Sequence, residues 1–394
     1  MNKMNEKIIL FQNKEDCCGC SACDNVCPQG AIKMVPDELG FLYPTIDYER
    51  CVGCGLCQSA CLYKMGYTTL HDSIDEVKAF ALKHRDVECR RNSQSGGAFV
   101  ALSDYVLQNN GVVYGVGFAD DFTAVHKRAV TKQERDEFRG SKYIQSRMDK
   151  IYQSVKKDLD SNAIVMFVGT PCQVEGLKKY LGRHKNLDGL FLVDLICYSV
   201  ASTRLWKEYL DFLCNKYSDS VINVNFRDKK FGWHSCVETI NFSKHVKSFD
   251  YFARLFGSKI SARDSCFNCK FTNLDRCSDI TIGDYWGIER YIPDFEDANG
   301  VSIVFVNSKK GMWLFEKIKN CDFVEIPLEY ALQPAVTVMQ EKPVLRDAFL
   351  NDYRNCSIKM ILKRYAGYTL KDKLKKCLKQ FKIIRFILCK YKQI

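Results

Sequence analysis

The sequence predicts an α+β protein in which a small cysteine-rich region precedes a larger mixed α/β domain and a basic helical tail. Three observations predict this class. Two similar cysteine runs, CCGCSACDNVCP and CVGCGLCQSACL, lie near the N-terminus. Further along, the strand-like runs AIVMFV and GLFLVDLI flank the helical pattern QVEGLKKYLG, as in a parallel βαβ unit. The final segment alternates leucine-type residues with lysines at helical spacing.

The two cysteine runs share the spacing C-x2-C-x2-C-x3-C, which is typical of bacterial ferredoxins with two clusters. In that pattern the fourth cysteine of each run binds the other cluster. One [4Fe-4S] cluster is therefore expected on Cys17, Cys20, Cys23 and Cys61, and the other on Cys51, Cys54, Cys57 and Cys27. Two zinc sites are the alternative, but they would require well-separated C-x2-C pairs. Cys18 falls outside the spacing and is interpreted as a spectator.

The segment between the runs, AIKMVPDELGFLYPTID, predicts two short strands and a turn. Cysteine density falls after Tyr63, which indicates a boundary near residues 65 to 80. We therefore expect a two-cluster ferredoxin domain over residues 1–70, an oxidoreductase domain over 71–345 and a basic amphipathic tail over 346–394.

The larger domain shows alternating helical and strand patterns. GGAFVALSDYVLQNNG predicts a helix and VVYGVGF the strand that follows it, before the βαβ unit. TRLWKEYLDFLCNKY predicts a helix that Ser202 or Thr203 can cap, and VINVNF and CVETINF predict strands. The order indicates a mixed sheet with helices packed against it.

A third cluster site is assembled from distant cysteines. Cys172 and Cys197 follow the two strands of the βαβ unit, so both should lie at the carboxyl edge of the sheet, where such sheets bind ligands. Cys266 and Cys269 add a C-x2-C pair in a polar loop. Two pairs make a third [4Fe-4S] site. The alternative is that the first pair are small buried apolar residues and that the second pair binds zinc or nothing.

Composition and charge exclude several classes. The chain shows neither a signal-peptide core nor a membrane-spanning run, so a cytoplasmic protein is expected, and 21 cysteines then favour metal binding over disulfides. Residues 351–394 hold thirteen Lys and Arg against Asp352 and Asp372, which accounts for the whole net charge of +11. A nucleic-acid partner is therefore not predicted. The tail could lie on the inner membrane surface, against a partner helix, or as the solvated face of a packed helix.

Two loops have residues suited to an anionic or nucleotide ligand. Ser95, Gly96 and Gly97 precede a helix, whose free N–H groups attract anions, although a plain helix cap is the alternative. GSKYIQS, Gly140 to Ser146, offers hydroxyls, an amide and a lysine, and it also fits an ordinary polar loop. The histidines show no metal-binding spacing, and no general base is predicted with a defined role. Asp284 and Lys142 are the nearest candidates.

The chain resembles the coenzyme F420 hydrogenase/dehydrogenase beta-subunit family in the order of its motifs. After the two-cluster module these motifs are SQSGGAFVAL, GSKYIQS, FVGTPCQVEGL, DLICYSV, FRDKKFGW and RDSCFNCKFTNLDRCSDITIGDYWGIE. The resemblance covers roughly residues 12 to 292. It implies an iron–sulfur flavoprotein with FAD beside a cluster. It also implies cluster ligands at Cys172, Cys197, Cys266 and Cys269, and flavin contacts at Ser95, Gly96, Gly97, Ser141, Lys142, Tyr143, Gln145, Ser146, Gly283 and Asp284. Relatives often have Cys-His-Gly where this chain has Cys197-Tyr198-Ser199, so the role of that histidine is not carried over.

The expected function is an oxidoreductase that passes electrons between [4Fe-4S] clusters and FAD to reduce or oxidise an organic substrate or a carrier. Ferredoxin, a deazaflavin and NAD(P)H are the expected carriers. The resemblance also suggests a role in surface polysaccharide biosynthesis. The alternative is a non-catalytic electron-transfer subunit that docks on a larger enzyme.

Overall fold

A computed structural model describes residues 7–66, 77–182 and 184–369. Most of the predicted domain boundary and the lysine-rich end of the tail, residues 370–394, lie outside the described residues. None of the helices in the described ranges has the length and apolar character that crossing a membrane requires.

The cysteine-rich region consists of short elements arranged around the two runs. Each run leads into a short helix, and a hairpin joins them, as the sequence predicts. Asp37 stabilises the hairpin turn because its carboxylate accepts hydrogen bonds from the backbone N–H groups of Leu39 and Phe41. The elements are α1 Ala22–Val26, β1 Ile32–Pro36, β2 Leu42–Ile46, α2 Leu56–Ser59 and α3 Leu62–Met65. Strands β1 and β2 are antiparallel.

The remaining strands form two further sheets. Their bounds are β3 Lys78–His84, β4 Val112–Phe118, β5 Ala124–Ala129, β6 Val165–Gly169, β7 Leu190–Leu195, β8 Val221–Asn225, β9 Glu238–Phe242, β10 Val246–Phe249, β11 Ile280–Asp284, β12 Ser302–Val306 and β13 Cys321–Ile326. Eight of them form a mixed sheet in the order β13-β3-β12-β11-β7-β6-β4-β5, in which β11, β7, β6 and β4 are parallel. Strands β8 to β10 form a small antiparallel sheet.

Helices cover both sheets. Their bounds are α4 Val87–Asn92, α5 Ala98–Gln108, α6 Lys132–Asp136, α7 Ile151–Asp160, α8 Pro171–Leu181, α9 Thr203–Tyr217, α10 Tyr251–Gly257, α11 Lys309–Lys317, α12 Leu328–Ala331, α13 Pro334–Thr337, α14 Arg346–Asn355 and α15 Ile358–Tyr365. The units β6-α8-β7 and α5-β4 confirm the predicted order of elements. Helix α8 begins with Pro171 at its first position, where the missing N–H costs no helical hydrogen bond.

The cysteine-rich region packs directly onto the larger domain. Phe41 of the hairpin shares a buried apolar cluster with Trp206 of α9, and Ala22 of α1 shares another with Val174 of α8. The Ser202 hydroxyl caps α9 by accepting from Leu205 N–H and donates to the Leu39 carbonyl. The two regions are therefore joined by one continuous set of buried contacts.

Residues 346–368, placed in the tail by the sequence, belong to this packed body. Phe349 of α14 and Ile361 of α15 are fully buried in the same apolar cluster as Trp206. The Arg346 side chain is also buried, and it donates to the Ile260 carbonyl and to the carboxylate of Asp264. The basic character of the tail therefore lies mainly in the segment beyond the described residues.

Candidate functional site

Four thiols from both runs line one cavity, together with Cys18. We name Cys17, Cys20, Cys23 and Cys61 the first cysteine group. Burial raises the pKa of Cys17 to about 11, and the neighbouring Cys20 and Cys61 thiols raise it further. Burial likewise raises the pKa of Cys23. The neutral thiol is thus favoured at Cys17 and Cys23 unless a cation binds, because burial penalises thiolate charge. The pKa of Cys20 is instead lowered by its interaction with Cys18.

A second cavity is lined by Cys27, Cys51, Cys54 and Cys57, which we name the second cysteine group. Burial also raises the pKa of Cys57, and the thiols of Cys27 and Cys51 contribute in the same direction. Cys27 thus lies with the thiols of the second run, and Cys61 with those of the first. The chain places the eight thiols in the crossed sets that the ferredoxin spacing predicts.

The four distant cysteines also lie together, at the carboxyl edge of the large sheet. Cys172 is in the first turn of α8 after β6, and Cys197 follows β7. Cys266 lies in the 3₁₀ turn Asp264–Asn268, and Cys269 directly follows that turn. Burial raises the pKa of Cys197, with further contributions from the thiols of Cys266, Cys172 and Cys269. We name these four residues the third cysteine group.

The third cysteine group fits a cubane cluster. Arg276, whose side chain is 2% exposed, opposes the burial that raises the pKa of Cys197. Its Nη1 forms an ion pair with Asp194 at 3.5 Å, and its guanidinium nitrogens make no closer hydrogen bond within the described ranges. Buried donors without acceptors are rare, and a sulfur-rich cluster would supply acceptors. Among the described residues no three Cys, His, Asp or Glu side chains could hold one metal ion together. A cubane does not require this, because each thiolate binds its own iron.

Cys18 joins the first and third cysteine groups. Its buried thiol interacts with the thiols of both Cys172 and Cys20, which raises the pKa of Cys18 and lowers the pKa of Cys172. Tyr63 faces the same region, because the thiols of Cys18 and Cys172 add to the burial that raises its pKa. Cys18 is thus outside the ligand sets, as interpreted from the sequence, but it lies between two of them.

A buried group of polar and aromatic side chains lies at the end of β11, next to the end of β7, after which Cys197 follows. Its centre is the buried Arg227, whose Nη atoms each lie 2.8 Å from a carboxylate oxygen of Asp284. Arg227 also donates to the Gln94 carbonyl at 3.0 Å and to the Tyr143 hydroxyl at 3.3 Å. Trp233 Nε1 donates to Asp284 at 3.1 Å. We name these five residues the Arg227 group. Sequence reasoning missed Arg227 and Trp233, although both lie in the motif FRDKKFGW.

Four further residues predicted to contact flavin lie close to this group. The Ser95 hydroxyl donates to the Val301 carbonyl, and Ser141 N–H donates to the Gln94 side chain. Gly283 precedes Asp284, and a Cβ there would lie 2.8 Å from Ile196, next to Cys197. Gly96 has a packing role, because a Cβ would lie 2.3 Å from the Leu82 carbonyl and 2.5 Å from Ser302 N.

Gly97 caps α5 with φ of 97°, a conformation that disfavours other residues, and its α-carbon packs against His84. Both glycines are buried. The close packing of α5 on β3 and β12 is therefore sufficient to explain the Gly-Gly pair, as in the simpler alternative of a plain helix cap.

The other three predicted flavin residues make contacts elsewhere. Lys142 Nζ donates to the carbonyls of Glu137 and Arg139, and burial lowers its pKa to about 7. Gln145 donates to the Cys18 carbonyl, so it contacts the cysteine-rich region. Ser146 lies in a buried chain in which Gln173 Nε2 donates to its oxygen and its hydroxyl faces His126 Nδ1. Gln173 follows Cys172, so this chain supports the third cysteine group.

Tyr198, which stands where relatives often have histidine, cannot transfer a proton as an imidazole does. Its hydroxyl donates to the Gly257 carbonyl at 3.0 Å, and Lys259 Nζ lies 4.2 Å from the ring centre. The side chain therefore ties the loop after β7 to the end of α10.

Comparison with known proteins gives two family matches. Residues 163–328 match the family described as the C terminus of the coenzyme F420 hydrogenase/dehydrogenase beta subunit, and residues 16–65 match the 4Fe-4S dicluster domain. The F subunit of the F(420)H(2) dehydrogenase from Methanosarcina mazei is 21% identical over 234 residues, which cover 57% of this chain and 63% of that protein. An uncharacterized ferredoxin of Methanocaldococcus jannaschii is 39% identical over 54 residues, 14% of this chain and 69% of the ferredoxin.

One solved structure is also similar, a chain in the xenon derivatization of the F420-reducing [NiFe] hydrogenase complex from Methanosarcina barkeri. The match covers 77% of this chain and 95% of that chain, with 16% identity and a TM-score of 0.44. The region shared with the Methanosarcina mazei dehydrogenase protein spans less than two thirds of that protein.

Proposed function

We propose a function for this chain from its two matched regions, a 4Fe-4S dicluster domain joined to a domain of the coenzyme F420 hydrogenase/dehydrogenase beta-subunit family, as its motifs predict. The chain is an iron–sulfur flavoprotein oxidoreductase that passes electrons between [4Fe-4S] clusters and FAD. One observation carries the proposal: the first cysteine group contacts the third through Cys18, and the third lies beside the Arg227 group. Contacts of this kind give electrons a short, continuous route.

In this proposal each cysteine group holds one [4Fe-4S] cluster. The crossed placement of Cys27 and Cys61 supports the first two, and the guanidinium of Arg276, which makes no close hydrogen bond within the described ranges, supports the third. The first and third groups are surrounded by buried side chains, which limits the access of water there, whereas Cys54 of the second group is exposed. Thiolates become favourable when cationic iron binds, because its charge offsets the burial that raises the pKa of the free thiols.

FAD would be held by Ser95, Ser141, Tyr143, Gly283 and Asp284, with Arg227 as an additional contact. What supports the site is that Arg227 gathers these residues beside Cys197 and keeps its Nε donor free of any partner in the described part of the chain. Lys142, Gln145 and Ser146, as well as the glycine pair, stay predictions from the resemblance. Bound flavin exchanges electrons singly or in pairs, whereas clusters carry one at a time.

The substrate side of the Arg227 group is aromatic. Trp286, 39% exposed, stacks on Trp233 with ring centres 5.2 Å apart, and the Arg227 guanidinium lies 5.0 Å from the Trp286 ring. This surface suits a planar organic carrier such as a deazaflavin or a nicotinamide. A reductive step in surface polysaccharide biosynthesis is a proposal that rests on the resemblance alone.

Anaerobic purification with iron, sulfide and flavin assays tests the cluster proposal. We expect about twelve irons per chain, as three cubanes require. The Cys269→Ser variant should lose about four of them. Cys214→Ser is the matched control, because Cys214 is half-buried on α9 and outside all three groups. Eight irons in the wild-type protein, with none lost in Cys269→Ser, would contradict a third cluster.

A second pair of variants tests the flavin site. Arg227→Gln should release flavin while it retains all the iron, because Arg227 binds outside the cysteine groups. Arg128→Gln, which breaks a surface ion pair with Asp158, is the control and should retain both cofactors. Flavin that stays bound at full occupancy in Arg227→Gln places its site elsewhere.

A second candidate function is a non-catalytic electron-transfer subunit docked on a larger enzyme. Exposed apolar side chains after α13 favour it, since Val338, Met339, Val344 and Leu345 are between 52% and 98% exposed. The purified protein distinguishes the two functions. Reduction by NAD(P)H or a reduced deazaflavin supports the oxidoreductase, whereas bleaching by reduced ferredoxin alone supports the docked electron-transfer protein.

We place the protein in the cytoplasm, with the lysine-rich segment 370–394 as a candidate contact for an anionic inner membrane surface. Deletion of residues 370–394 leaves α14 and α15 in the core and tests this contact directly. Vesicle binding that persists in the truncated protein would exclude the tail as the membrane contact.

A further inference from the structure

A buried arginine lies between the first and third cysteine groups. Arg263, 1% exposed, precedes Cys266 in the loop after α10. Its Nε donates to the Cys17 carbonyl at 2.8 Å, and its Nη2 lies 3.6 Å from Cys17 Sγ. Its Nη1 donates to the Gln145 side chain, whose amide donates in turn to the Cys18 carbonyl. The guanidinium therefore faces the loop that carries the first cysteine run.

The same charge acts on thiols of both groups. The Arg263 backbone carbonyl accepts a hydrogen bond from Cys266 N–H at 3.0 Å, so the residue is fixed to the third group, and its charge opposes the burial that raises the pKa of both Cys17 and Cys266. No carboxylate in the described ranges forms an ion pair with Arg263. Its nearest ionisable neighbours are cysteines and Tyr43, whose ring lies 4.1 Å from the guanidinium carbon and covers one face.

A buried cation of this kind influences reduction. Adding an electron makes a cluster and its thiolates more negative, and a nearby positive charge stabilises that state more strongly where water is excluded. Hydrogen bonds to cluster sulfurs act in the same direction, and both raise reduction potentials. The second cysteine group has no such contact with Arg263, which makes it an internal reference.

We propose that Arg263 sets the reduction potentials of the first and third clusters as a shared cation and thereby links them in the electron path. The inference rests on the proposed function, because it requires clusters in both groups. Arg263 is a positioning residue: it would hold the two groups at matched potentials and would not itself carry electrons.

Arg263 also has bonds that a purely structural role would explain. It donates to the carbonyls of Cys17 and Leu42 and so attaches the cysteine-rich region to the larger domain. Loss of this attachment alone would lower stability without changing the potentials selectively. The two roles are therefore separated by a measurement of potential.

The experiment is a redox titration of anaerobic holoprotein, followed by electron paramagnetic resonance, with each cluster identified through the Cys61→Ser, Cys57→Ser and Cys269→Ser variants. Arg263→Gln should shift the midpoints of the first and third clusters to more negative values and leave the second unchanged. Arg263→Lys keeps the charge, so its midpoints should stay close to those of the wild-type protein. The shift should be the same at pH 7 and pH 9, because a guanidinium stays protonated throughout.

The outcomes separate this inference from the proposed function. Unchanged midpoints in an Arg263→Gln protein that retains its iron overturn the inference, as does an equal shift of all three clusters. If Arg263→Gln fails to assemble, the Arg263→Lys protein is decisive. Lysine cannot make all the hydrogen bonds of the guanidinium, so the midpoints of the same two clusters should still shift, by a smaller amount. Fewer than three clusters in the wild-type protein would instead contradict the proposed function.

Discussion

Replacement of Gly176 by alanine tests whether the cysteine-rich region is held against α8 as tightly as the structure indicates. Gly176 faces the first cysteine group from the middle of α8. A Cβ at this position would lie 2.8 Å from Cys20 Cβ, 3.0 Å from Cys20 Sγ and 2.8 Å from the Tyr152 hydroxyl. Ordinary contacts between such atoms are longer, so something must move.

Neither neighbour can move cheaply. The Tyr152 hydroxyl donates to the Gln173 carbonyl at 2.7 Å inside the core, and Cys20 belongs to the loop that forms the first cysteine group. Overpacking of this kind costs about 1–3 kcal/mol. Alanine offsets about 0.5–1 kcal/mol of that, because it is the better helix former. We therefore expect a net loss of about 1 kcal/mol in the free energy of unfolding.

Gly257→Ala is the matched control, since Gly257 ends α10 and a Cβ there meets no atom within 4 Å. Thermal unfolding of the anaerobic proteins, with iron counted before heating, measures the effect. Gly176→Ala should melt measurably below wild type and lose iron from the first cysteine group, whereas Gly257→Ala should melt at or above wild type. A Gly176→Ala protein as stable and iron-replete as Gly257→Ala would refute the close docking.

Three further predictions concern buried charged and titratable groups. Burial lowers the pKa of His126 to about 4, so the folded state disfavours its protonation. The free energy of unfolding should therefore fall by about 2 kcal/mol as the pH is lowered from about 7.5 to 5. Denaturant titrations of His126→Gln should not show this loss. Burial raises the pKa of Glu238 to about 7, so stability should fall as pH rises from about 4.5 through 7, and Glu238→Gln should remove that slope. Arg346→Met removes the bond to Asp264, and we expect a loss of about 2 kcal/mol and reduced iron, measured by the same unfolding and iron assays.

The cysteine placement was predictable from the sequence because spacing determines it. Ligands that lie two or three residues apart are brought together by one turn of loop, and the βαβ pattern places Cys172 and Cys197 at one sheet edge. The hydrogen-bond partners of Arg227 and Arg263 were not predictable in this way. Arg227 bonds to residues 57 and 84 positions away, and Arg263 to one 246 positions away, so no local pattern indicates those partners.

The glycine pair and the tail also show that a local sequence pattern does not identify what packs against it. A Gly-Gly pair before a helix permits an anion to approach, but it equally permits a strand to approach, and at Gly96 the strands β3 and β12 do so. The amphipathic pattern of α14 and α15 predicts that one face is covered. It does not say by what, and here the covering surface is the chain's own core around Trp206.

In the proposed function, the contacts between the sites give the electron path an order. The third cysteine group lies beside the Arg227 group, and the first touches the third through Cys18. The second group lies at the surface, because its own Cys54 is exposed and so are the neighbouring Val52 and Leu56. An electron carrier that approaches from solvent therefore finds its shortest apolar contact at the second group, while an organic substrate finds the aromatic surface at Trp286. If the proposed function holds, a carrier at the second group and an organic substrate at Trp286 would use separate surfaces, and the buried Arg263 beside the first and third groups is where a change of potential would affect transfer in both directions.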